Sequence, residues 1–552
     1  MTADIVIRGG TVVDGSGEPG YVADVAITGD KVTAIGSGLE GDRVLDATGK
    51  IVAPGFIDIH THFDAQVFWD PALTPSCFHG VTTVIAGNCG FSIAPTREEH
   101  RETIARTLEG VEDMNVETLN AGIPWTFETF PEYLDAVSES GTALNYAAYV
   151  GHTALRLFVM GDAAYERAAS DDEIERMCET LTEAILAGSP GFATSFAPTH
   201  VGMDGKPVPS RFAEKKEFEA LCYAVAKAGR GVVHVAPGEQ VSIPDLYELQ
   251  PKVGRPFTYG ALLTFPGDGH KGLVALNDQG HANGVSVWPQ VTPRPLGFQL
   301  TMEEPFLLNV ADCVAALMSG SRDERIAAYR DPDFRKQANE ELSQSVMKPR
   351  WHTFSVAESE AFPELVGCNI EELSKERGVT PLDVALDIAL GEDLQTRFRG
   401  TVANDDMDGV AWLLTRDGVT LGLSDAGAHV GQLCDAPQAT DLLGNWVRER
   451  GIMSVEEAVR RLAGQQADIF GFEGRGYLRE GYQADVVVFD ASTVDPGPIR
   501  RVRDFPGDAE RLTADQPIGV EHVIVNGVPI QVDGETDSSG LAAKPGMRPA
   551  IV

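Results

Sequence analysis

Basic residues are scarce in this chain of 552 residues: 44 Lys and Arg stand against 82 Asp and Glu, a formal charge of −38. A surface of that sign repels nucleic acid and anionic membranes, so neither is an expected partner. Long apolar runs are also missing. No segment approaches the roughly 18 uninterrupted apolar residues of a membrane span, and the opening MTADIVIRGGTVVDG lacks a basic stretch followed by an apolar one. The expectation is a soluble, unsecreted, cytoplasmic protein. Cysteine is sparse: seven residues, at 77, 89, 178, 222, 313, 368 and 434, have no CxxC spacing, which argues against a disulfide framework. What remains is a globular protein, 43% hydrophobic, with enough core for one large α/β domain and a smaller one. Its partner is expected to be a small molecule. Self-association into a homo-oligomer is left open.

The first 50 residues read as short strands with Gly and Asp turns, in DIVIRGG, TVVDGSG, DVAITGD and KVTAIG. Near the other end ADVVVFD and VEHVIVNGVPI have the same character, so the two ends are expected to build one small β-domain from residues 1–54 and 471–552. Between them apolar strands alternate with helical segments: IVAPGFIDIHTH, GVTTVIAGNCG, TALNYAAYVGH, PGFATSF, GVVHVAPG and VTLGLSD. Ser170 before acidic residues marks the start of one helix, SDDEIERMCETLTEAILAG, and EFEALCYAVAKAG is another. Such alternation favours a parallel α/β barrel over an antiparallel fold, spanning residues 55–470. Residues 290–375 break the rhythm and are read as an insertion over the barrel mouth.

Absences at strand ends matter as much. The fourth-strand region, GFATSFAPTH, has no lysine, and the sixth, RPFTYGALLTF, has no histidine. What strand ends do carry is metal-ligand chemistry. In GFIDIHTHFD, strand geometry turns His60 and His62 to one face, where two neutral imidazoles suit one metal ion. A merely solvated strand end is the alternative. Cys89 closes the second strand in VIAGNCG, His152 the third in AAYVGH, and Asp425 the last in LGLSDAG, while His234 lies in GVVHVA. Barrel enzymes place reactive groups at these ends.

VAPGFIDIHTHFD, SDAG and the closing EGYQADVVVFD resemble the amidohydrolase superfamily. GVTTVIAGNCGFSIAP resembles the branch of D-aminoacylases and N-acyl-D-amino-acid deacylases. The resemblance covers nearly the whole chain and implies a TIM-like (β/α)8 metal-dependent hydrolase barrel with a β-sandwich from both chain ends. It also implies one or two divalent ions, usually zinc. His60 and His62 match the first-strand ligands, Cys89 the thiolate ligand and Asp425 the last-strand aspartate. Thiolate is a good zinc ligand; a small buried hydrophobe is the alternative for Cys89. The chain departs from the branch at two strands. On the fifth, His234 falls one residue early, an offset that would reverse its side chain, and its ligation stays open. On the sixth no histidine is present, which favours a single metal. The absent lysine weakens the likeness to cyclic-imide hydrolases.

From these residues a reaction can be written. A metal-activated water attacks an amide carbonyl, and Asp425 takes the proton from water and returns it to the departing nitrogen. His152 is the candidate for stabilising the oxyanion. Arg156 is a candidate for binding a substrate carboxylate, His429 and Tyr259 for contacting substrate, and Trp288 and Arg294 for lining the pocket. His200, on a loop of turn formers, is a candidate for lining the substrate pocket, with an exposed loop histidine as the favoured reading. Hydrolysis of N-acyl-D-amino acids is the leading expectation. The alternatives are another amide, carbamate or cyclic imide, and a scaffold that keeps the fold without catalysis.

Overall fold

Runs such as Val81–Ala86 and Val232–Ala236 are apolar at nearly every position and buried throughout, the signature of strands covered on both faces. The computed structural model describes residues 2–202, 205–345 and 348–552. In it these runs belong to a parallel barrel. Its strands are Phe56–Asp58, Val81–Ala86, Asn145–Ala148 with its continuation Val150–Gly151, Gly191–Ser195, Val232–Ala236, Phe257–Tyr259, Val287–Val291 and Thr420–Leu421. Consecutive strands pair in parallel. The seam between first and last closes through a parallel bridge from Thr61 to Ala426, with His62 N–H donating to Ala426 O at 2.7 Å. Ser424 Oγ adds a bond to His60 O at 2.8 Å.

Residue parity decides what each strand delivers inward. Ile57, Ile85, Ala147, Tyr149, Ala193 and Val232 pack together inside the barrel. Their strand neighbours Val84, Phe192, Val233, Val235, Phe257 and Tyr259 belong to the core between strands and helices. That outer layer includes helix Asp171–Leu186, started by a reciprocal capping box between Ser170 and Glu173, and helix Lys215–Ala228.

The insertion is larger than its expected 290–375. Val287–Val291 is the seventh barrel strand, and strands Leu296–Leu300, Ser355–Glu358 and Arg397–Ala403 form a separate antiparallel sheet. Together with the intervening helices this sheet has its own core, around Met302, Tyr329, Leu342, Phe354, Leu386 and Phe398. Helix Pro381–Gly391, beyond the expected end of the insertion, buries Val384, Leu386 and Ile388 in this lid core.

Both chain ends join one nine-stranded sheet that encloses a core of Ile7, Val25, Ile27, Val486, Val488 and Ile524. Part of the C-terminal stretch leaves it. The hairpin Arg500–Phe505 with Ala509–Thr513 reaches the barrel mouth, where Leu512 N–H donates to Val430 O at 2.6 Å and Arg501 pairs with Glu358 of the lid at 3.1 Å. Among the described residues no helix is long and apolar enough to cross a membrane.

Candidate metal centre

Five of the expected residues converge at the C-terminal rim of the barrel. Two triplets, His60 with Cys89 and His234, and His60 with His62 and Asp425, have ligand atoms all within 4.8 Å of one another. They share His60, whose Nε2 lies 3.1 Å from Asp425 Oδ1 and 3.6 Å from Cys89 Sγ. His62 Nε2 lies 3.7 Å from the same Asp425 oxygen. The fifth strand delivers His234 inward, on the parity of Val232 and Ala236, so the one-residue offset expected to reverse it does not. Its ring stands 5.1 Å from that of His60.

The partners of these rings fix which nitrogen is free. His60 Nδ1 donates to Gln290 Oε1 at 2.5 Å, which turns Nε2 towards Cys89 and Asp425. His234 Nδ1 lies 3.0 Å from Thr258 Oγ1, and its Nε2 is buried with no hydrogen-bond partner. Imidazole nitrogens, a thiol sulfur and a carboxylate oxygen thus face one another in a buried site. Unpaired buried polar groups are costly, and a cation is the species that satisfies them all. The mixed imidazole, thiolate and carboxylate set suits zinc. Gly260 follows the sixth strand above them. A Cβ there would come within 3.3 Å of both His60 Cε1 and His234 Cε1, so the sixth strand contributes space where a side-chain ligand is absent.

The electrostatics agree. Burial opposes charge on His60, but Cys89 and Asp425 outweigh it and draw the ring well above its ordinary range towards a positive charge. Burial, reinforced by the charges of His60 and His62, holds His234 neutral. Asp425 is an anion: burial opposes its ionisation, and the bonds and charges of His60 and His62 overcome that opposition. Its backbone, at φ +46°, and that of Cys89, at φ +55°, lie in the left-handed region. Non-glycine residues held there cost on the order of 1–3 kcal/mol and collect at functional sites.

Three side chains that sequence reading passed over complete the surround. Gln290 holds His60 and approaches His234 Nδ1 at 3.3 Å, and Thr258 holds His234. Glu112 ends helix Arg101–Glu112. Its buried carboxylate lies 3.3 Å from His62 Nδ1 and 3.7 Å from His429 Nε2, and its backbone oxygen accepts the His429 N–H at 2.6 Å. His429 also packs edge-on against Phe298 of the lid, centroids 5.4 Å apart, so it lines the rim between cluster and lid.

Other expected site residues lie elsewhere. His152 faces outward, with Nδ1 on Thr194 Oγ1 at 2.7 Å and Nε2 on Glu217 Oε1 at 2.9 Å. With both nitrogens engaged in the helical layer, it has none for an oxyanion. Arg156 is fully buried against the same Glu217, at 2.5 Å, and meets no solvent-borne carboxylate. Tyr259 points outward into the layer of Tyr247, again through strand parity. Arg294 is buried between Asp435 and Asp441, at 2.7 and 3.2 Å, beneath the lid, and Trp288 Nε1 donates to Ser286 Oγ at 3.0 Å near the strand's start, away from the rim.

A family model described as an amidohydrolase family matches residues 43–531. The D-aminoacylase of Alcaligenes xylosoxydans xylosoxydans is 29% identical over 533 residues, which cover 96% of this chain and 94% of that protein. The crystal structure of a D-aminoacylase aligns with a TM-score of 0.68 at 25% identity over 98% of both chains. An N-acyl-D-glutamate deacylase from Bordetella bronchiseptica, solved with zinc and a phosphonate inhibitor that mimics the tetrahedral intermediate, aligns at 0.67 with 25% identity over 99% of both chains.

Proposed function

The chain belongs to the amidohydrolase family, and from that premise we propose that it is a zinc-dependent deacylase of N-acyl amino acids, with the D configuration preferred. The observation that carries this reading is the environment of His60 Nε2, a nitrogen set among Cys89, Asp425 and His234. These four residues and His62 would hold the ion, and the absence of a sixth-strand ligand favours one ion over two. When bound, a zinc ion supplies Lewis acidity, lowering the pKa of water and polarising a carbonyl oxygen.

The chain's own groups supply the proton chemistry. Asp425, anionic and 14% exposed in its side chain, accepts a proton from the attacking water. An amide nitrogen leaves poorly unless protonated, and the same carboxyl returns the proton as the C–N bond breaks. Gln290 and Thr258 keep the Nε2 atoms of His60 and His234 aimed inward. The lid and the hairpin enclose the rim, which limits competing water.

The test is a hydrolysis screen of zinc-loaded enzyme against N-acyl-D and N-acyl-L amino acids, dipeptides and cyclic imides. Turnover concentrated in the N-acyl-D class is the expected result. Turnover confined to cyclic imides would redirect the assignment, and a pure protein with neither stoichiometric metal nor turnover would favour a scaffold.

A further inference from the structure

With His152 turned outward, the rim still needs a donor for the carbonyl oxygen. His200 sits on the loop after the fourth strand, half-buried, and its ring packs edge-on against Phe91, centroids 5.1 Å apart. Phe91 follows Cys89 by two residues, so this contact places His200 against the turn that carries the thiol. The charges of His429, His62 and Asp425 all bear on it.

One serine holds its Nδ1. Ser195, at the inward-facing end of the fourth strand, has its Oγ 2.6 Å from His200 Nδ1, and the same Oγ accepts the Ala197 N–H at 3.1 Å. A hydroxyl can donate as well as accept, and when Ser195 donates to Nδ1 the ring proton resides on Nε2. Nε2 itself has no hydrogen-bond partner among the described residues. Burial and the neighbouring positive charges hold the ring neutral, its pKa pushed down to about 3. A neutral imidazole of this kind donates a hydrogen bond without giving up its proton.

Resting on the deacylase reading, we propose that His200 is a catalytic residue whose Nε2–H binds the substrate carbonyl oxygen and stabilises the oxyanion. As water adds to the carbonyl carbon its proton goes to Asp425, and the carbonyl π pair moves to oxygen, where Nε2–H receives it. Collapse re-forms the C=O bond, the C–N bond breaks, and Asp425 returns its proton to nitrogen. Ser195 is the positioning residue that keeps the proton on Nε2.

The experiment compares zinc-loaded parent, His200→Ala, His200→Gln and Ser195→Ala on the best N-acyl amino acid of the screen. It also measures zinc content, and by calorimetry the affinity for the matching methylphosphonamidate. His200→Ala is expected to lower kcat by about 10²–10³-fold with KM little changed and zinc retained, and to weaken the phosphonamidate by a similar factor. His200→Gln, which keeps an N–H donor, should recover at least about tenfold of that loss, and Ser195→Ala should fall between. Should the Ala variant fail to fold, the Gln and Ser195 variants carry the same comparison. Variants with parental kcat and phosphonamidate affinity would overturn the role of His200 alone. A parent enzyme inactive on every N-acyl amino acid would overturn the deacylase reading, and this role with it.

Discussion

The rings of His60 and His234 stand 5.1 Å apart at 86°, and one side-chain amide, that of Gln290, reaches Nδ1 of both. Groups that orient metal-bound histidines typically contribute about 10–100-fold to metal affinity. Gln290→Leu should therefore weaken zinc by about that factor while the barrel stays folded. Competition with a chelator measures it, and unchanged affinity would make Gln290 a spectator.

Glu112 joins the two histidines that Gln290 does not touch. Replacing it by Ala leaves His62 Nδ1 and His429 Nε2 without their carboxylate, so both zinc affinity and kcat should fall by about 10–100-fold. Zinc retention under dialysis, read beside kcat, distinguishes this from a loss of activity with the metal site intact.

The buried triad of His152, Arg156 and Glu217 gives the opposite forecast. Glu217→Gln leaves a guanidinium uncompensated in the interior, which costs about 3–5 kcal/mol, yet zinc content per folded molecule should not change. Denaturant unfolding shows the first effect and metal analysis the second. Full stability with lost turnover would return His152 to the active site.

His79 predicts an acid-sensitive joint. It is buried, with Nδ1 2.8 Å from Thr440 Oγ1 and Nε2 donating to Ala514 O at 2.7 Å, just past the hairpin. Burial pushes its pKa down from an ordinary 6.5 to about 4. Between those values the unfolded chain binds a proton that the folded one refuses. Stability is therefore unaffected above pH 6.5, declines as the pH falls below it, and loses up to about 3 kcal/mol from this group by pH 4. His79→Gln should flatten that decline, as denaturant midpoints at pH 7 and pH 5 would show.

Several of these residues were beyond reach of the sequence for physical reasons. The HxH pair and SDAG are local patterns on adjacent strands, and their chemistry is written in residue type alone. Inward or outward orientation depends on where each strand begins its alternation, which apolar runs such as GVVHVA do not reveal. That phase misplaced His152 and Tyr259 and cast doubt on His234. Glu112 and Gln290 reach the cluster from a helix end and from the seventh strand, which was read as part of the insertion. No spacing rule links such positions to an HxH motif. His200 looked like loop because its partners, Phe91 and Ser195, come from two other strand ends.

The central claim is that Asp425 moves protons in a metal-bound amidase site. The most direct measurement is kcat/KM for zinc-replete Asp425→Asn on an N-acyl amino acid, beside an activated anilide of the same acyl group. Asparagine keeps the shape and an oxygen for the metal but does not accept and return a proton at neutral pH. The account predicts retained zinc and a loss of several orders of magnitude on the amide, with a smaller loss on the anilide, whose leaving group needs less help. Near-parental amide hydrolysis by the zinc-replete variant would contradict it.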